Sequence, residues 1–461
     1  MRNTADTMHT THQSTLTLHD HKRHIPHVIT VDAPAARLHI RLRFDPATVD
    51  DVRNMLTLTV FDPDGFRGAG HRGGNDHAVT IGPATATPGY RPGPVPAGDW
   101  LVQVDTHMIY GDAPVAYTLE VWTEDGSEED TVATPPPRFD TVARDAPGWY
   151  RGDLHAHTVH SDAAWTADDL LADARRLGLD FVTLSDHNTV SGLADFAARA
   201  TPALLTMGGL ELTTFWGHAL VLGTTTWVDW RVDAAGAAMA GIATASYAAD
   251  RLFIIAHPQD VGDPFCTGCR WLYPEMMPGT ARLVEIWNGS WRNENDQFDA
   301  GNEYARRLWF DWLNAGHVLF ATAGTDVHGH GVYKRADVGF NVVYAENLSQ
   351  AAILAGIAAG RSYLSCGPSL ILTATGDGVT VGTGQRVAGA PTLRVAWDAC
   401  PPGATLHVLA RGREIARHTP APQGEFTVTH GVGTDTWFVA ELRGTDGALL
   451  AITNPIFAGP D

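Results

Sequence analysis

Histidines and carboxylates recur in the middle of this sequence at spacings suited to holding metal ions. Asp153-Leu-His155-Ala-His157 sets two imidazoles on alternate residues, and Ser161-Asp162 comes soon after. Asp186-His187-Asn188, Glu211 with His218 beyond it, His257-Pro258 and Asp326-Val-His328 then follow in order. Imidazole and carboxylate are the usual ligands of Zn²⁺, Mn²⁺ and Fe²⁺, and His-X-His or Asp-X-His lets neighbouring side chains reach one ion. Such a set exceeds the three or four ligands that one ion needs, so two or three ions sharing a site are expected. Glu211, with two carboxylate oxygens, is the natural bridge between two of them. Close cations lower the pKa of a shared water, so the expected chemistry is hydrolysis by a metal-bridging hydroxide attacking phosphorus or an acyl carbon. A lone His-Pro or Asp-X-His is more often a turn or surface feature. The weight rests on the ordered set.

Each donor cluster needs an element that aims it. Phe181-Val-Thr-Leu184 precedes Asp186, Leu252-Phe-Ile-Ile-Ala256 precedes His257, and Val318-Leu-Phe-Ala-Thr322 precedes Asp326. These apolar runs, with Leu283-Val-Glu-Ile-Trp287, read as buried strands. Thr166-Ala-Asp-Asp169 is a capping box that opens a helix through Leu170, Leu171, Ala174 and Leu177, and Gly178 closes it. Strands alternating with helices over 149–366 predict a parallel α/β sheet or barrel. In such barrels the functional groups gather on loops after the strands, where six of the nine histidines of this region stand.

The flanks read differently. Short alternating segments such as Arg37–Phe44, Met55–Phe61 and Trp100–Asp105, separated by turns, predict a small β-sandwich over 28–134 with no chemistry in it. Residues 1–27, polar and carrying six histidines, are expected to be a disordered tail. The acidic Glu128-Glu-Asp130 and Pro135-Pro-Pro137 mark a linker, taken as 135–148. Strand patterns return in Leu393–Trp397, Thr405–Leu409 and Thr436–Ala440, which predicts a second small β-domain over 367–461.

Composition narrows the function. The chain has 461 residues, too many for one core, and 44% hydrophobic against 18% charged residues is globular. No apolar run is long enough to span a membrane. The first 27 residues lack the apolar stretch of a secretory signal, so a cytoplasmic location is expected. Four cysteines do not make a disulfide framework. A net charge of −20 repels phosphate backbones, so no nucleic-acid polymer is expected as a partner. A small anionic substrate stays open, because bound cations reverse the local potential. A homo-oligomer also stays open.

Taken together, Gly152-Asp-Leu-His-Ala-His-Thr158, Thr183-Leu-Ser-Asp-His-Asn188, Ala256-His-Pro258 and Gly324-Thr-Asp-Val-His328 resemble, in order, the four motifs of the PHP (polymerase and histidinol phosphatase) superfamily. Val284-Glu-Ile-Trp-Asn-Gly289, Cys266-Thr-Gly-Cys-Arg-Trp271 and Ala451-Ile-Thr-Asn-Pro-Ile456 resemble its carbaryl-hydrolase-like (CehA/McbA) branch. The resemblance implies an α/β fold: a distorted seven-stranded (β/α) barrel over 149–366, flanked by the two all-β domains. It also implies two or three divalent ions (Zn, Mn or Fe). One would be held by His155, His157, Glu211 and Asp326, a second by Glu211, His218 and His257, and a third by Asp162, His187 and His328. Ala163 stands where the first motif usually has glycine, and Ser185 where the second often has threonine; neither is a ligand position.

Around the ligands, Asp153 and Asp186 are expected to orient imidazoles, with plain helix-start or turn duty as the equal alternative. Lys334 and Arg335 could pair with a substrate anion or be a solvated surface pair. Trp216, Trp287 and Trp291 could wall an apolar pocket or pack the core. Cys266-X-X-Cys269 reads as a loop staple or inert thiols. Serine-nucleophile catalysis has no Gly-X-Ser-X-Gly to support it. The expected activity is cleavage of a small-molecule ester, first of all a phosphoester, with a carboxyl- or carbamate-ester hydrolase and a non-catalytic, metal-stabilised binding module as the alternatives.

Overall fold

The computed structural model describes residues 8–125, 136–292, 300–431 and 436–459. They are mostly β, 45% strand against 13% helix, so sheets and not helices set the architecture. Among them no helix is long and apolar enough to cross a membrane.

The N-terminal part is a sandwich of two antiparallel four-stranded sheets. One runs His9–Leu16, Val115–Glu124, Arg37–Asp45, Asp76–Ile81; the other runs His24–Val31, Gly98–Met108, Met55–Asp62, Gly65–Gly70. Alternation makes it: Leu38, Ile40, Leu42 and Phe44 are buried in the core while Arg43 and Asp45 face water. The tail expected over 1–27 is overturned from Met8 onward. His9–Leu16 pairs along its whole length with Val115–Glu124, and His24–Val31 pairs with Gly98–Asp105. Both are edge strands. His9–Leu16 buries only Leu16, so its backbone ladder holds it and composition carries no trace of that. Its neighbouring histidines are bonded in place, His24 Nδ1 to Asp105 Oδ1 at 2.7 Å and His27 Nε2 to the Tyr117 hydroxyl at 3.0 Å. Residues 1–7, the acidic 128–130 and Pro135 lie outside the described residues. Within the expected linker, Val142 and Arg144 pair with Ser349 and Leu348.

The middle of the chain curls one sheet around a buried core. Its order is Phe320–Gly324, Leu283–Asn288, Leu252–Ile255, His218–Leu222, Leu205–Thr213, Phe181–Leu184, Gly148–Asp153, Phe340–Ala345, Ser362–Ser365. Two blocks of three parallel strands, begun by Gly148–Asp153 and by Leu252–Ile255, are joined through the antiparallel strand His218–Leu222. Helix Ala167–Arg176 starts in the expected capping box: the Thr166 hydroxyl accepts from Asp169 N, and the Asp169 carboxylate accepts from Thr166 N. Gly178 takes φ +67 just past its end.

The strands of the described residues do not by themselves show the distorted seven-stranded (β/α) barrel. The link from Leu205–Thr213 to His218–Leu222 is a hairpin, and among the described residues no backbone ladder joins Phe320–Gly324 to Phe340–Ala345. Two asparagines, Asn341 from across that seam and Asn454 from beyond the strand Leu449–Thr453, hold the free edge of Phe320–Gly324. Ala323 N donates to Asn341 Oδ1 at 3.0 Å while Asn341 Nδ2 donates to Ala323 O. Asn454 does the same for Ala321, at 2.7 and 3.0 Å. The sheet also runs on into the C-terminal part, where Leu449–Thr453 pairs with Ser362–Ser365 and leads to Thr436–Arg443 and Thr405–Ala410. A second sheet, built on Ser369–Gly376, Thr392–Asp398 and Gly424–Thr429, packs on these strands through Leu370, Leu372, Val395 and Phe438.

Candidate metal centre

The donors come from loops after strands, with two exceptions, Glu211 and His218. Glu211 lies inside the strand Leu205–Thr213, and His218 opens the strand His218–Leu222. Its hairpin register sets Thr213 opposite His218, so Glu211 and His218 are diagonal neighbours on one face of the sheet. Three loops turn through left-handed backbone to aim their donors: Asn188 at φ +54, His257 at +26 and Asp326 at +51. Such a conformation costs about 1–2 kcal/mol for a residue with a Cβ. Asn188 offsets it by two bonds to Thr213, each 2.8 Å.

Nine side chains converge in three groups: His155, His157, Glu211 and Asp326; Glu211, His218 and His257; and His157, Asp162, His187 and His328. In the first, Glu211 Oε2 lies 3.2 Å from His155 Nε2 and 3.4 Å from His157 Nε2, and Asp326 Oδ1 lies 2.9 Å from His157 Nε2. In the second, Glu211 Oε1 lies 2.9 Å from His218 Nδ1 and 3.2 Å from His257 Nε2. In the third, Asp162 Oδ1 lies 3.1 Å from His328 Nε2 and 3.4 Å from His187 Nε2. Donors bound to one tetrahedral ion at about 2.0–2.1 Å sit roughly 3.3 Å apart. Glu211 thus turns one oxygen to each of two groups. His157 stands in two groups, where sequence reasoning placed it in one.

The residues fit cations. His155 Nε2, both ring nitrogens of His157, Glu211 Oε2 and Asp326 Oδ1 are buried without a hydrogen-bond partner among the described residues. Orphaned atoms in such number are costly unless they face ions. Charge tells the same story. Burial alone would raise the Glu211 carboxyl, but His187, His155 and His218 around it hold it well below the usual range. Burial would lower His257 and His328, yet Glu211 pushes His257 up to about 10 and Asp162 pushes His328 up to about 10. His157, buried and facing His187 and His328, falls to about 4. Protonated imidazoles balance the carboxylates here, and bound cations would displace those protons.

Most of these imidazoles are fixed through their other nitrogen. His257 Nδ1 donates to Cys269 O at 3.0 Å, His218 Nε2 to Thr267 O at 3.2 Å, and His328 Nδ1 to Asp326 O at 2.7 Å. Cys266 and Cys269 are joined in a disulfide that staples the loop supplying the first two carbonyls. His155 Nδ1 faces Glu285 Oε1 at 3.2 Å, and Glu285 Oε2 accepts from His257 N at 3.0 Å. Sequence reasoning missed Glu285 as a functional residue, although an acid inside the apolar run Leu283–Trp287 was a legible signal.

Of the two roles open to Asp153 and Asp186, orienting an imidazole or plain helix-start or turn duty, the hydrogen bonds show the second. Asp153 accepts from the His155 backbone at 3.1 Å, from Thr325 and from the Tyr333 hydroxyl; Asp186 accepts from Thr158 and Ser161. Both brace backbone turns. Lys334 and Arg335 are exposed and do not line the site's cavity; Tyr333, just before them, takes the inward position. Trp287 and Trp291 pack on each other in the core, and Trp216 lies under Lys22, 4.1 Å from its Nζ.

A cavity of about 530 Å³ opens over the donors. Its far wall belongs to the N-terminal sandwich: residues 51–55, His71, Gly73, Gly74 and Met108. The sandwich read as free of chemistry therefore borders the site, and no periodicity could have disclosed that.

No family model matches the chain. A stretch of 75 residues, 16% of the chain, is 40% identical to an error-prone DNA polymerase of Symbiobacterium thermophilum and 37% identical to one of Mycobacterium tuberculosis. That stretch spans 7% and 6% of those polymerases' length. Among solved structures, the chain is similar to a two-domain protein of Bacteroides vulgatus containing a predicted PHP-like metal-dependent phosphoesterase. The TM-score is 0.37 at 15% identity, over 72% of this chain and 100% of that one. A protein of Bifidobacterium adolescentis described as a metal-dependent phosphoesterase gives 0.30 at 19% identity, over 45% of this chain and 94% of that one.

Proposed function

We propose that this chain is a multi-metal hydrolase of the PHP superfamily, in its CehA/McbA branch, that cleaves a phosphoester of a small molecule. The observation that carries the reading is Glu211, fully buried, one oxygen turned to His155 and His157 and the other to His218 and His257. An acid so placed costs stability in a plain core and suits a pair of close cations. Zn, Mn or Fe would suit the nitrogen and oxygen donors. Two or three such ions, held by the three donor groups, would supply Lewis acidity and acidify water. The chain's own part is preorganisation: Glu285 and the carbonyls of Thr267, Cys269 and Asp326 keep the imidazoles aimed before substrate arrives. A cytoplasmic setting and the distorted barrel of that superfamily belong to the same proposal.

A carboxyl- or carbamate-ester hydrolase is the second reading, and the cavity wall favours it. Val52, Met55, Met108, Pro264 and Phe265 are apolar, and Arg53 is the one arginine or lysine lining the cavity among the described residues. Metal-replete protein tested on p-nitrophenyl phosphate, a phosphodiester and a naphthyl carbamate separates the readings. Phosphoester turnover that a chelator abolishes and added metal restores supports the first. Turnover of the carbamate alone selects the second. Folded, metal-loaded protein that turns over none of them is a metal-stabilised binding module.

A further inference from the structure

The N-terminal sandwich is bolted to the loops that carry the donors. Lys22 Nζ pairs with Asp263 at 2.7 Å, and the His24 ring stacks on Phe215 at 4.8 Å. Arg72 Nη2 donates to Val159 O at 3.0 Å, two residues past His157. Thr189 Oγ1 donates to Gly89 O at 2.8 Å, two residues past His187. Thr267 Oγ1 donates to His107 O at 3.0 Å, within the loop that holds His218 and His257. These bonds fix the register of the sandwich against the donors.

His71 is what that register delivers. It follows the strand Gly65–Gly70, in which Gly68 and Gly70 leave room for Tyr90: a Cβ would meet Tyr90 Cα at 2.5 Å from Gly68 and its hydroxyl at 2.7 Å from Gly70. The chain therefore lies low over Tyr90, whose hydroxyl donates to Leu58 O at 3.1 Å. Arg72, the next residue, is the one clamped to Val159. The His71 ring comes to 4.6 Å from the His187 ring, centroid to centroid. Its Nδ1 is buried with no hydrogen-bond partner among the described residues, and His71 lines the cavity over the donors. His107, 4.8 Å from His71, does not line it. His71 belongs to none of the three donor groups.

We propose that His71 is a substrate-contacting residue, donating its free ring N–H to a non-bridging oxygen of the phosphoryl group at the centre. The sandwich is thereby half of the active site. The proposal rests on the phosphoesterase reading and names the chain's own contact to that substrate. An imidazole from a separate layer can meet the ester beside the donors, where developing charge needs a hydrogen-bond donor.

The test uses full-length protein, wild type beside His71→Ala and His71→Asn; the asparagine amide nitrogen reaches close to the Nδ1 position. Elemental analysis, calorimetric binding of inorganic phosphate to metal-loaded protein, and kcat and KM on p-nitrophenyl phosphate are the readouts. Metal content is expected unchanged in both variants. His71→Ala is expected to weaken phosphate binding about tenfold and to lower kcat/KM about 10²-fold, with His71→Asn restoring part of each. Loss of an ion in His71→Ala, or phosphate binding equal to wild type, overturns the proposal. Wild type that binds phosphate in a His71-dependent way but hydrolyses no phosphoester sinks the phosphoesterase reading and leaves the contact standing. Wild type without phosphate affinity sinks both.

Discussion

Replacing Glu211 with glutamine keeps its shape and removes its charge, and the consequence can be worked out donor by donor. Glu211 belongs to two of the three groups. In Glu211→Gln the first keeps His155, His157 and Asp326, enough for a three-ligand site; the second keeps only His218 and His257, fewer than any ordinary zinc site. The third, with Asp162, loses no donor, although its His187 loses the charge of Glu211 Oε2, 2.8 Å from its Nδ1. Metal content should therefore fall by at least one ion per chain, and hydrolysis by about 10³-fold or more, as expected when preorganised charge at the reacting centre is lost. The metal-free protein should suffer as well. The imidazoles that Glu211 balances lose their counter-charge, and breaking a buried pair by removing one partner costs about 3–5 kcal/mol. Elemental analysis after dialysis against a metal-buffered solution, beside thermal melts with and without chelator, measures both effects. Circular dichroism of the variant guards against mistaking unfolding for metal loss. If folded Glu211→Gln carries as many ions as wild type, Glu211 is not shared between sites and the multi-metal reasoning fails with it.

Three further outcomes follow from the same geometry. Glu285→Gln, which weakens the hold on the His155 ring and on the His257 backbone, should lower metal affinity about 10–100-fold while the fold persists. Competition against a fluorescent chelator reads this, and equal affinity would show that Glu285 orients nothing. Without metal, His257 and His328 are pushed up to about 10, so against an unfolded value of about 6.5 their stabilisation is complete below about pH 6.5 and is lost as pH rises towards 10. Cations compete with those protons, so the gain in Tm on adding metal should grow between pH 6 and pH 9; a gain that shrinks over this range contradicts the assignment of these histidines as donors. Asn454→Ala removes the partners of Ala321 N and O at the sheet seam, at about 1–3 kcal/mol for each buried group left unsatisfied. Urea unfolding should show a loss of about 2–6 kcal/mol with metal content unchanged, and a smaller loss would mean that Asn454 does not hold this edge of the sheet.

The donors were legible because their information is local. His-X-His, Asp-X-His and a short apolar run before each cluster are set within a few residues by strand periodicity, so the sequence alone named the nine side chains that the structure gathers. The alternating strands of both flanks and the capping box at Thr166 were readable for the same reason. What escaped depends on partners far along the chain. His9–Leu16 has the composition of a loose tail and is a strand only because Val115–Glu124 lies beside it. Asp153 and Asp186 stand next to ligands in sequence but spend their oxygens on Thr325, Tyr333, Thr158 and Ser161. Lys334 follows the last motif closely yet faces water, since a tight turn alternates its side chains and Tyr333 took the inner place. His71 has no local signal whatever: only the packing of one sheet layer on another brings it against His187. Spacing along the chain determines which side chains can share an ion, whereas the layer that covers them is chosen by long-range pairing and burial, whose partners no local pattern encodes.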